Sequence, residues 1–143
     1  MKLRFWSILA AALALTIAVP AVAHHSFAAQ YDRSKPTTIS GVVTKIDWIN
    51  PHARFFVDVK DSSGQMINWE VELGPPAGLM RRGWTRNSLK VGESVTVNGY
   101  LAKDGSNLAN ASTVTLGDGR KVFAGSSAEG ETYSLTHFLG QVH

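Results

Sequence analysis

ARFFVDVKDSSGQMINWEVEL, residues Ala53–Leu73, is the stretch that decides the fold. Phe55, Val57 and Val59 alternate with Arg54, Asp58 and Lys60, the period-two pattern of a strand with one buried face; Phe56 is the apolar exception. Ile67, Trp69, Val71 and Leu73 then alternate with Asn68, Glu70 and Glu72. Asp61-Ser62-Ser63-Gly64 between them consists of turn-forming residues. Two alternating runs joined by so short a connection predict an antiparallel hairpin. The parity puts Trp69 in the core, and leaves Glu70 and Glu72 with Asn68 on a solvated outer face.

Toward the N-terminus, Thr37 to Ile49 is β-rich and precedes a break at Asn50-Pro51. Ile39 and Val43 share one parity while Val42, Ile46 and Trp48 share the other, and the switch predicts a bulge near Gly41. Toward the C-terminus, Gly74-Pro75-Pro76 introduces a short helix over Ala77 to Trp84, carrying Leu79 and Met80. A loop follows in which Leu89 and Val91 are expected to plug the core. Glu93 to Ala102 and Leu108 to Leu116 alternate as a fourth and a fifth strand, and Gly117-Asp118-Gly119 turns into a short return over Arg120 to Phe123. Three strands, a helix and two strands is the order of an OB-fold. The expected class is therefore all-β, a five-stranded OB-fold-like barrel with one short helix between strands 3 and 4. A β-sandwich, which needs about seven strands, is the alternative.

Residues 1–23 read as a secretory signal. Lys2 and Arg4 open it, Phe5 to Val19 is apolar and uncharged, Pro20 breaks the run, and Ala21 and Ala23 supply the small residues of a cleavage site. The expected domain organisation is a signal peptide over 1–23, an extended arm over 24–36, a barrel over 37–124 and a flexible tail over 125–143. A periplasmic or secreted protein with no membrane span after cleavage follows. Loss of Lys2 and Arg4 lowers the formal net charge from +3 to +1, so the basic balance is no footprint of nucleic-acid binding. With no cysteine there is no disulfide, thiolate metal site or thiol nucleophile. No Gly-rich phosphate loop, His-Glu-x-x-His or serine-nucleophile motif is present. No catalytic residue is assigned, and an enzyme is not expected.

Several motifs resemble a family of small exported bacterial proteins catalogued as a domain of unknown function. They are His24-His25-Ser26-Phe27, Trp48-Ile49-Asn50-Pro51-His52, Asn68-Trp69-Glu70-Val71-Glu72-Leu73 and Gly78-Leu79-Met80-Arg81-Arg82-Gly83-Trp84. Ser88-Leu89-Lys90-Val91-Gly92, and Lys103-Asp104-Gly105-Ser106 ahead of Ala109-Asn110-Ala111, continue the likeness to about Phe123. The resemblance implies membership and carries no activity.

Function must then come from the residues. Cleavage after Ala23 would make His24 the first residue, offering its α-amine and Nδ1 to one ion in a six-membered chelate ring. A further imidazole completes a three-nitrogen set suited to copper, because Cu(II) favours tetragonal nitrogen coordination. His52, fixed behind Pro51, is the first candidate for it, and the adjacent His25 competes. His137 and His143 in the tail are incidental, and Met66 and Met80 read as packing residues. The alternative is a metal-independent adaptor that binds a protein, peptide or glycan partner near Trp48, Asn50 and Arg81.

Overall fold

The structure, a computed structural model, describes residues 27–125. Residues 27–30 are helical. There follow β1 (Tyr31–Asp47), β2 (Arg54–Lys60), β3 (Met66–Glu72), α1 (Pro76–Arg81), β4 (Ser94–Ala102), β5 (Leu108–Thr115) and β6 (Lys121–Phe123). The strands form one six-stranded sheet in the order β3-β2-β1-β4-β5-β6, and β3 also pairs with β5. That last ladder is parallel and all others are antiparallel. The all-β expectation and the helix between the third and fourth strands hold at this level. The sixth strand is the short return after Gly119, paired to β5 through Thr113–Phe123, Val114–Val122 and Thr115–Lys121. Among the described residues no helix is long and apolar enough to cross a membrane.

The alternating residues of the hairpin behave as their pattern predicts. Phe55, Val57 and Val71 are fully buried, with Val43, Leu79, Val97 and Val114 in the same core. Trp48 and Trp69 pack against it from partly buried positions, whereas Trp84 is buried outright. Three residues assigned to core or packing positions are not there. Val91 is 63% exposed, because the core below that loop is already closed by Leu89. Met66 and Met80 are likewise exposed and pack little: Met66 starts an edge of the hairpin, and Met80 turns to solvent beside the buried Leu79 on α1.

The helix is shorter than expected. Pro75 precedes it in extended conformation, Pro76 occupies its first turn, and Arg82 and Gly83 close it, Gly83 at a φ of +94°. The parity switch of β1 falls between Val43 and Lys45, where the ladder to β2 changes register. Gly41 has a different purpose. A Cβ there would run into the Asp58 carbonyl and the Val57 side chain, so glycine allows β1 to coil closely over β2. Gly99 does the same against the Asn110 carbonyl, beside the register change between β4 and β5.

The region expected as an extended arm is structured from Phe27 onward. β1 begins at Tyr31, paired to Ala102, six residues before the expected domain start. The reason is a small second core in which Phe27, Tyr31 and Ala102 are buried with help from Tyr100 and Leu108.

Three aspartates hold exposed turns, and a fourth, Asp32, holds the irregular start of β1. Asp32, Asp61, Asp104 and Asp118 each accept the backbone amide two residues on, from Ser34, Ser63, Ser106 and Arg120, at 2.8–2.9 Å. Hydrogen bonds hold all four below the ordinary carboxyl value of 3.8, the leading one from the serine hydroxyl in the first three and from the Arg120 amide in the last. A carboxyl lowered in the folded state stabilises above its unfolded value and loses that contribution as pH falls through the folded one. Thermal unfolding should therefore drop to lower temperature as pH falls below 3.8, and the drop should be smaller in an Asp61→Asn/Asp104→Asn protein. An equal drop in both would show that these turns do not carry the acid response.

Candidate functional site

His52 sits on the loop between β1 and β2, behind the cis Asn50-Pro51 bond. The next residue, Ala53, is fully buried. Its amide donates to the Gly74 carbonyl at 3.1 Å, and its carbonyl accepts the Leu73 amide at 2.8 Å. The loop is thus pinned to the end of β3, and His52 faces the side chain of Glu72, with Nδ1 3.5 Å from Oε1.

Strand register builds the rest. Lys60 opposite Met66 closes the hairpin, which puts Arg54 opposite Glu72 and Phe56 opposite Glu70. The parallel ladder then puts Glu72 beside Asn110, and the β4–β5 ladder puts Asn110 beside Tyr100. One row across the sheet therefore runs Arg54, Glu72, Asn110, Tyr100. Arg54 reaches both acids, with Nη1 2.6 Å from Glu70 Oε1 and Nη2 3.4 Å from Glu72 Oε2. Asn110 Nδ2 donates to Glu72 Oε1 at 3.1 Å. Formal charges on Arg54, Glu70 and Glu72 leave one negative charge for a cation to balance.

Glu72 is 4% exposed, and its assignment to a solvated face is overturned. The outer side of β3 is covered at this end by the second core, whose Tyr31 meets the same carboxylate. The Tyr31 hydroxyl is buried and forms no well-aligned hydrogen bond. Burial, and then the negative charge of Glu72, push its phenol well above the ordinary value. Tyr31 therefore stays neutral, an apolar wall with a polar tip. Glu70, toward the middle of the strand, keeps a partly exposed side chain.

The geometry gives His52 a defined orientation. Its Nδ1 side is turned to a carboxylate that Arg54 and Asn110 hold in place, which leaves Nε2 for another partner; the side chain remains 28% exposed. A histidine backed in this way by a carboxylate is the usual arrangement behind a metal-ligating imidazole. No group of three or more His, Asp or Glu side chains is placed to hold an ion among the described residues. Any further donors to an ion at His52 must come from elsewhere. His24 and His25 lie outside the described residues.

The residues assigned to partner binding do not gather at His52. Trp48 is half-buried and lies against Trp84, ring centroids 6.4 Å apart. Asn50 and Arg81 are both exposed, one on the loop and one at the end of α1. Sequence reasoning passed over Arg54, Glu72, Asn110 and Tyr31. Two signals pointed to them: the hairpin turn already fixes Arg54 opposite Glu72, and Asn110 lies between two alanines, the small neighbours of a crowded position.

A family model described as a family of unknown function matches residues 12–111, a span that holds both N-terminal histidines and every member of the His52 cluster. No curated protein matches the chain.

Proposed function

The chain belongs to that family, DUF6152, and because the family's function is unknown we propose one from the site: an exported copper-binding protein of the periplasm. Its ligands are the α-amine and Nδ1 of His24, freed by removal of residues 1–23, and Nε2 of His52. We read the strand circuit as a five-stranded OB-fold-like barrel with β6 appended, since β1, β2, β3, β5 and β4 pair in a ring. In this reading the protein is a carrier, buffer or assembly factor, and no catalytic group is invoked.

One observation carries the proposal, namely the way Glu72 takes the Nδ1 side of His52. A carboxylate on that side favours the tautomer with its proton on Nδ1, whose Nε2 lone pair is free to bind an ion. The net negative charge of the Arg54, Glu70 and Glu72 group favours a cation beside it. Three nitrogens in one plane suit Cu(II). Signal cleavage would then switch the site on, because an acylated His24 nitrogen is a far poorer ligand than a free amine.

The test is titration of the mature chain, residues 24–143, with Cu(II), followed by calorimetry and electron paramagnetic resonance. One ion per chain is expected. An alanine added ahead of His24, and His52→Ala, should each weaken binding by more than the roughly 10- to 100-fold that loss of a supporting group alone costs. Full affinity in the alanine-extended chain would sink the proposal. Loss in His25→Ala with no loss in His52→Ala would move the second imidazole to His25.

A further inference from the structure

Leu79, Trp84 and Leu89 are buried in the main core, and their regular spacing pins the segment from α1 to Gly92 onto the sheet. With those three turned inward, Met80, Arg81, Arg82, Arg86, Lys90 and Val91 between and beside them are exposed. The charge of this segment is one-sided. Leu73 to Gly92 holds four cations and no acid, whereas the rest of the described chain holds eight cations and nine acids. Of the acids that bound it, Glu72 is buried beside Arg54, and Glu93 Oε2 accepts the Lys90 amide at 2.8 Å. Among the described residues every ion pair is made elsewhere.

Neighbouring strands widen the patch. The Arg82 guanidinium lies 3.9 Å over the Phe123 ring, a contact that holds it against β6 without cancelling its charge. Lys121, two residues before Phe123, is exposed on the same face of that strand. Ile49 is exposed next to Trp48, whose ring lies against Trp84. Three of the five large apolar side chains exposed among the described residues, Ile49, Met80 and Val91, thus lie on or beside a segment that carries only positive charge.

Cations alone would suit any polyanion. Bulky apolar side chains set among them add nothing for a soluble polyanion, but they match a bilayer: their tips enter the boundary between headgroups and acyl chains while the cations meet anionic headgroups. Arg and Lys fit both layers, because their stems lie along apolar surface with the charge held outward. We propose that the connection from α1 to β4, Pro76 to Gly92, is a docking face for the surface of an anionic phospholipid bilayer. The contact is peripheral and needs no spanning segment. None of its residues is a proposed copper ligand, so it stands or falls apart from the copper reading.

The experiment uses residues 24–143, because the apolar run before them would itself enter lipid. Co-sedimentation is measured with vesicles of phosphatidylcholine alone and of phosphatidylcholine and phosphatidylglycerol in equal parts. Binding is expected to the anionic vesicles only, weakening as the Debye length falls from about 10 Å to about 3 Å between 0.1 and 1 M salt. Each cation at such a surface strengthens binding about fivefold, so Arg81→Gln/Arg86→Gln should weaken it by about 25-fold. Met80→Ser/Val91→Ser should weaken it by about 15-fold, the worth of roughly two buried methylenes. Lys35→Gln/Lys60→Gln removes the same charge from β1 and from the turn end of β2, and should cost no more than about twofold. All six positions are exposed, and unchanged unfolding midpoints will show that the variants are folded. Equal binding to both vesicles, or an equal loss in the lysine variant, would overturn the docking face. So would a loss in the arginine variant with none in Met80→Ser/Val91→Ser and heparin bound as tightly as the vesicles, which would make the occupant a soluble polyanion.

Discussion

Trp84→Ala is expected to cost about 3–5 kcal/mol, far more than the same change at Trp48 or Trp69. Trp84 is 3% exposed, and its Nε1 donates to the Phe123 carbonyl at 2.8 Å. Its own amide donates to the Leu79 carbonyl, so one residue joins the end of α1 to β6. Truncation opens a cavity and leaves the Phe123 carbonyl without that partner, and the two effects add. It also removes the surface on which Trp48 rests. Trp48 and Trp69 keep part of their rings in water, so their loss should cost about 1–2 kcal/mol each, in proportion to the area buried. For a domain of this size 1 kcal/mol moves the unfolding midpoint by roughly 4–8 °C. A fall of about 12–40 °C for Trp84→Ala, clearly larger than the roughly 4–16 °C expected for each of the other two, would bear the ranking out. Equal falls would contradict it.

Arg54→Met should be the most damaging single change in the polar cluster, at about 2–3 kcal/mol. Breaking a buried ion pair by deleting one partner costs about 3–5 kcal/mol, because the other charge is left uncompensated. Here the figure is discounted, since the Arg54 side chain is 40% exposed and water screens that flank. The charge left behind is Glu72, whose side chain is 5% exposed and keeps Asn110, His52 and the neutral Tyr31 beside it, none of which carries a full positive charge to replace Arg54. The remedy follows from the cause. Adding Glu72→Gln to Arg54→Met removes the stranded charge and should restore about 1–2 kcal/mol in a double-mutant cycle. Urea denaturation of the four proteins measures it. A double variant as unstable as the two losses summed would show that Arg54 acts through its stem and not through its charge.

Periodicity made the hairpin legible. Phe55, Val57 and Val71 had nowhere else to go, and the Asp61–Gly64 turn fixed their partners. The short helix between β3 and β4 was legible from Pro75-Pro76, and Leu79 is its buried residue. What parity could not convey is that the outer face of a strand can be covered by a segment far away in the chain. Glu72 has the same sequence pattern as a solvated acid, and it is interior because Tyr31, Asn110, His52 and Arg54, from four separate parts of the chain, gather around it. His52 was legible as a candidate because Pro51 precedes it. Its backing carboxylate was not, since that contact depends on the loop being pinned to Gly74. Val91 misled for the opposite reason, an apolar residue in a loop whose core position Leu89 had already filled.

The parallel pairing of β3 with β5 sets a condition on when this fold can form at all. Glu72 meets Asn110, and β1 meets β4 from Tyr31 onward, so the ladders that complete the circuit join residues far apart along the chain. Such contacts form late, because loop closure must come before their reward. A chain made N-terminus first can assemble the hairpin of β2 and β3 as soon as both strands are available. It cannot complete the circuit until Asn110 has followed. The topology itself makes closure of the sheet one of the last events of folding.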